Sequence, residues 1–102
     1  MEVKGKKVII RASRAGVFFG TVKEVNDTAA GREVVLKNSR RIWYWDGAAS
    51  ISQLATEGTK RPHKCKFTVV VPEHSVIQVI EIIPCTDEAI KSIESVKVWR
   101  NS

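Results

Sequence analysis

Two short turn clusters, Ser13-Arg14-Ala15-Gly16 and Asn26–Gly31, separate three runs of apolar and β-branched residues at the start of this chain. No other feature constrains the fold as much. Parallel neighbours need a crossover of a dozen or more residues, so connections this short join antiparallel strands. Residues 3–12, with Val3, Val8, Ile9 and Ile10, read as the first strand. Residues 17–25, with Val17, Phe18, Phe19, Val22 and Val25, read as the second. Gly16 gives the turn between them a residue that accepts positive φ. A third strand over about Glu33–Lys37 and a fourth over Arg41–Trp45 continue the meander.

Ser50-Ile51-Ser52-Gln53 has the form of a capping box, with Leu54 and Ala55 to pack inward and Gly58 to stop the chain. It predicts a short helix over Ile51–Glu57. Thr59–Lys64 is a basic loop in which Pro62 forbids further helix. Phe67–Val71 reads as a buried strand, Pro72–Ser75 as a turn, and Val76–Ile83 as a longer strand ending at Pro84. Its two faces are both mostly apolar, which predicts a central or interface position. Thr86 caps a final helix with Asp87 and Glu88 at its positive end and Ala89, Ile90, Ile93 and Val96 as its buried stripe. The expected fold is therefore α+β: a small antiparallel β-sheet or partial barrel with two short helices, one of them C-terminal, in a single domain over residues 1–102.

Chemistry concentrates in Arg40-Arg41-Ile42-Trp43-Tyr44-Trp45, which holds three of the seven aromatic residues. Side chains alternate along a strand, so Arg41, Trp43 and Trp45 share one face and Ile42 and Tyr44 the other. A guanidinium beside two indoles suits a planar anion: rings stack on a base while the guanidinium forks onto a phosphate. The competing reading is an aromatic core strand with a snorkelling arginine.

The net charge of +6 comes from small basic groups rather than a basic tail, which fits a folded domain with an anionic partner. No apolar run reaches membrane-span length, and the first residues lack the apolar core of a signal peptide, so the expected location is the cytoplasm. Cys65 and Cys85 fit a reducing compartment. His63 and His74 are the only histidines, and no C-x-x-C or H-x3-H spacing supplies a zinc site, so neither metal nor cofactor is expected. Gly16-Val17-Phe18-Phe19-Gly20 has the wrong spacing for a phosphate-cradling glycine loop, and no nucleophile–base constellation stands out. The expected protein is not an enzyme.

Taken in order, Arg14-Ala15-Gly16-Val17, Glu33–Leu36, Arg41–Trp45 with Gly47-Ala48, the Ser50–Leu54 helix start and Val79–Pro84 resemble a family of small phage and prophage proteins. These are the first-described Thoeris anti-defence proteins, which act as sponges for nucleotide signals. The resemblance implies a non-enzymatic role in the infected bacterial cytoplasm. It implies sequestration of a cyclic ADP-ribose isomer, with cyclic oligonucleotides of CBASS immunity as further ligands, and self-association as dimers building a homohexamer. It also implies a pocket lined by arginine and aromatic residues at a subunit interface. On residue chemistry, Arg11, Arg14, Arg41 and Arg61 are the candidate phosphate partners, and Phe18, Trp43, Trp45 and Phe67 the candidate stackers. Two other classes use the same residues: a small basic β-rich RNA- or DNA-binding module, and a phage accessory structural subunit whose aromatic strand builds an oligomer.

Overall fold

A computed structural model describes residues 2–101. Six strands and two helices follow one another as β1 (Lys7–Ala12), β2 (Gly16–Thr28), β3 (Gly31–Tyr44), α1 (Ile51–Glu57), β4 (Lys66–Phe67), β5 (Val71–Val76), β6 (Val79–Pro84) and α2 (Asp87–Glu94), with one 3-10 turn at Pro62–Lys64. All strand pairings between these elements are antiparallel, and the order across the sheet is β4-β3-β2-β1-β6, with β5 also on β3. The fold is the expected α+β arrangement, a sheet that curls without closing.

The curl follows from β3. Its length lets one edge hold β2 while the other holds β5 along Val34–Ser39 and β4 at Ile42 and Tyr44. β5 then runs into β6 through Ile77 and Gln78 alone, so two residues carry the chain from one border of the sheet to the other. Ser13 pins that link: its backbone N–H donates to the Gln78 carbonyl at 2.9 Å and its Oγ bonds Gln78 Oε1 at 3.0 Å.

Alternation divides the apolar residues between two layers. Val8, Ile10, Phe18, Val22, Val34, Leu36 and Val76 fill the inside of the curl. Ile9, Phe19, Ile42 and Phe67 face outward and are covered by Leu54 and Ala55 of α1 and by Ala89 and Ile93 of α2. Each large side chain so enclosed contributes about 1.5–3 kcal/mol of transfer free energy. Both helices start where the capping pattern places them: Ser50 Oγ accepts from Gln53 N–H at 3.1 Å, and Thr86 Oγ1 from Ala89 N–H at 3.1 Å. Gly20 lies where the β2–β3 register shifts, between Phe19 and Thr21. A Cβ there would stand 3.2 Å from the Lys37 carbonyl oxygen, so a side chain at the bulge would crowd the β3 backbone.

Four expectations change. The third and fourth strands are one, because Asn38 takes a left-handed conformation (φ 52°) and the ladder resumes past it. Phe67–Val71 is not a continuous buried strand: pairing breaks after Phe67, and Val69 and Val70 are exposed. Pro72–Ser75 is strand rather than turn, since Pro72 sits on a border strand where a missing N–H costs no ladder bond. The turn falls instead at Ile77-Gln78. Finally, β6 pairs only with β1 and leaves Ile80 exposed, so it borders the sheet rather than occupying its centre.

Candidate functional site

The register places Arg41 directly opposite Phe18, so the two side chains share the inside of the curl. Phe18 is fully buried, and the Arg41 guanidinium lies over its ring, 4.5 Å from the centroid. Arg41 Nη1 donates to the Ala15 carbonyl in the β1–β2 turn. Its backbone N–H donates to Thr68 Oγ1 at 2.9 Å. The side chain is thereby fixed at the mouth of the curl, half-exposed, with one guanidinium edge tied and the rest available. None of the ion pairs among the described residues involves Arg41.

The turn that ties Arg41 also carries Arg14, which is exposed. Between this turn and the end of β3 lies an open cleft of about 360 Å³ lined by Arg14, Ala15, Gly16, Val17, Arg41, Ile42, Trp43 and Trp45. Trp43 is 63% exposed and stacks on Trp99, with ring centroids 6.1 Å apart and planes 16° from parallel. Trp45 lies past the strand end, half-buried against the helical layer, its Nε1 donating to the Ala48 carbonyl at 3.2 Å. Two indoles and two guanidinium groups thus border one concavity. This arrangement can stack a flat ring and hold an anion beside it.

The structure brings Arg14, Arg41, Trp43 and Trp45 together and leaves the other four expected residues elsewhere. Arg11 bonds Glu81 across the β1–β6 ladder at 3.1 Å. Arg61 pairs with Asp46 at 3.4 Å. Phe18 and Phe67 are fully buried, Phe18 beneath Arg41 and Phe67 beneath Arg40. Neither phenyl face is open to a ligand. Their place as stackers is corrected: both are core rings on which arginines rest.

Three further features lay outside the residue-based reading. Arg40 is 5% exposed and donates to four backbone carbonyls: Thr68 at 3.0 Å, Phe67 at 3.2 Å, Ile93 at 3.3 Å and Lys97 at 3.4 Å. Burial holds its pKa below the usual arginine value. Trp99 extends the aromatic surface from the segment after α2, with Lys66 Nζ 5.5 Å from its ring centroid. Its signal was a tryptophan beside Arg100 in a polar tail. Lastly, Ser39 Oγ lies 3.0 Å from His74 Nδ1, but Ser39 has no solvent exposure and offers no nucleophile to a substrate.

Among the described residues, no group of three or more His, Cys, Asp or Glu side chains gathers to hold a metal ion. No helix among them is long and apolar enough to cross a membrane. Cys65 and Cys85 are free thiols, and burial pushes the Cys85 pKa up to about 11, which keeps it protonated.

The site therefore belongs to a small α+β domain with an arginine- and tryptophan-lined cleft at the mouth of a curled sheet. Residues 5–93 match a family described as a domain of unknown function, DUF6948, and the chain belongs to that family. No curated protein and no solved structure matches it.

Proposed function

We propose that this protein is a non-catalytic binder that sequesters a phosphate-bearing nucleotide signal, in the manner of the anti-defence sponges it resembles. The observation that carries the reading is the convergence of Arg14, Arg41, Trp43 and Trp45 on one cleft. A largely exposed indole and a guanidinium held in place by its own backbone contacts are prearranged for a purine and a phosphate. The ligand class is a cyclic ADP-ribose isomer or a related cyclic nucleotide, met in the cytoplasm of an infected bacterium. Retention without turnover fits a cleft near which the one serine bonded to a histidine, Ser39, has a fully buried hydroxyl. Self-association belongs to the same proposal: exposed Val69, Val70, Ile77 and Ile80 leave apolar surface for a second copy.

The test is retention. Purified protein is incubated with a cyclic ADP-ribose isomer, desalted and heat-denatured, and the released nucleotide is identified by mass. Intact ligand in stoichiometric amount is the expected result. Recovery of hydrolysed product in proportion to protein would replace the sponge with an enzyme. A second reading, a single-stranded nucleic-acid module, draws on the strip in which Lys66 and Trp99 adjoin Trp43. It requires affinity for oligonucleotides that falls steeply with salt, whereas a small enclosed signal should show a shallow salt dependence.

A further inference from the structure

His74 stands behind the arginine that faces the cleft. It lies opposite Leu36 in the β3–β5 register, and its ring meets Phe18 edge-on, with centroids 5.0 Å apart and planes at 89°. Phe18 is the ring on which Arg41 rests, so one buried phenyl touches both an imidazole and a guanidinium. The enclosed Ser39 hydroxyl fixes the imidazole at Nδ1. The flanking residues of β5 turn to the other face, where Glu73 takes Lys23 and Ser75 bonds Glu33. The charged group that acts on His74 is therefore Arg41. Burial first, and the Arg41 charge second, hold the imidazole below the ordinary histidine range.

We propose that an anion seated on Arg41 and a proton on His74 bind cooperatively, so that ligand occupancy protonates His74 and mild acid tightens binding. The proposal rests on the nucleotide-site reading for its ligand, while the Arg41–His74 coupling is a property of the free protein. The physical reason is direct. An uncompensated guanidinium opposes a second positive charge nearby, and a phosphate that neutralises it removes that opposition. Linkage is reciprocal: whatever factor the anion adds to proton affinity, the proton adds to anion affinity. For two sites separated by one phenyl ring near the surface, a rise of about half a pKa unit to one unit is expected, or about threefold to tenfold in affinity. The gain is absent at about pH 7.5, where His74 is neutral, and develops as pH falls through the lowered His74 pKa. Phosphodiesters and pyrophosphate diesters stay ionised throughout that window, so the change reports the protein.

His63 is exposed, so His63→Gln leaves His74 as the one histidine for proton NMR titration. Three measurements follow in that background. Arg41→Gln should raise the His74 pKa by about half a unit, and Arg41→Lys, which keeps the charge, should leave it within about 0.2 units. A saturating cyclic ADP-ribose isomer should raise it as well, and calorimetry should show binding that tightens by about threefold to tenfold in all as pH falls from about 7.5 through the measured His74 titration. If the Arg41→Gln and Arg41→Lys proteins, both folded by their amide spectra, titrate alike, the coupling does not exist. If the nucleotide binds while His74 stays unmoved, the coupling fails and the site reading stands. If the nucleotide does not bind but Arg41→Gln still raises the pKa, the coupling stands and the choice of ligand falls.

Discussion

Arg40 and Arg41 are chain neighbours, yet β3 sends them into opposite environments. Arg40 faces the helical layer beside Phe19 and is enclosed; Arg41 faces the inside of the curl beside Phe18 and reaches its open mouth. Each rests on a phenyl ring and each donates to backbone carbonyls. The difference lies in what remains free. Arg40 uses Nε, Nη1 and Nη2 to tie β4, the segment that follows it and the C-terminal end of α2, whose negative dipole end favours a cation. Arg41 spends one nitrogen on Ala15 and keeps the rest for the cleft. A buried arginine with all three nitrogens bonded is a structural clamp, whereas a half-exposed one tied at one edge keeps donors free for a ligand.

The largest effect should come from Arg40→Ala. It removes four charge-assisted hydrogen bonds across the β4–α2 seam; the Phe67 and Ile93 carbonyls keep the N–H groups of Trp99 and Val96, while those of Thr68 and Lys97 lose their arginine donor, at a cost of about 3–5 kcal/mol. A domain of this size would melt about 15–25 °C lower. Calorimetric melting at neutral pH checks it, and a drop below about 5 °C would show that the clamp is replaceable by water. Arg40→Lys should recover little, since one ammonium cannot reach four divergent carbonyls.

Arg41→Ala should invert that pattern. Affinity for a cyclic ADP-ribose isomer falls about tenfold to a hundredfold, while the fold loses about 1 kcal/mol from the Ala15 bond and the Phe18 contact. Trp43→Ala belongs with Arg41 rather than with the core. Its indole is 63% exposed, so stability changes by about 1 kcal/mol or less while stacking worth about 1–3 kcal/mol per base is lost. Titration calorimetry beside thermal melts separates the two quantities. A large loss of melting temperature for Arg41→Ala with unchanged affinity would make both arginines structural and remove the comparison.

Local signals were legible and long-range ones were not. The caps at Ser50 and Thr86 are written in three or four consecutive residues, and both helices start where those residues place them. The pairing of Arg41 with Trp43 follows from strand alternation alone, whereas Trp45, past the end of β3 and packed against the helical layer, borders the cleft without sharing their face of the strand. Which arginine of the pair lies inside depends instead on a left-handed residue at Asn38 and a bulge at Gly20, three and twenty residues distant in sequence from Arg41 and its neighbours. Composition cannot show such a register. Phe18 and Phe67 look like stacking residues by type, but Phe18 points into the curl and Phe67 to the face the helices cover. Val69 and Val70 read as core because β-branched runs usually are, whereas the edge of β3 supports only a two-residue strand before them. Trp99 and His74 join the site through tertiary contacts spanning tens of residues, which no motif announces.

The smallest expected effect sharpens the comparison from the other side. Arg11 is an arginine that neither clamps nor faces the cleft: its Nε bonds Glu81 at 3.1 Å, with the two side chains 51% and 37% exposed. An exposed pair of this kind contributes about 0–1 kcal/mol, because water already solvates both partners and salt screens what remains. Removing Arg11 leaves Glu81 free to hydrate rather than stranded. Arg11→Ala should therefore shift the melting temperature by about 4 °C at most and leave cyclic ADP-ribose affinity within about twofold. The affinity arm carries the information. A tenfold loss would mean that the ligand reaches across the β1–β6 ladder, and the cleft around Arg41 would then be one end of a longer site. A change within twofold, with the Arg41→Ala loss intact, confines phosphate recognition to the turn and the end of β3.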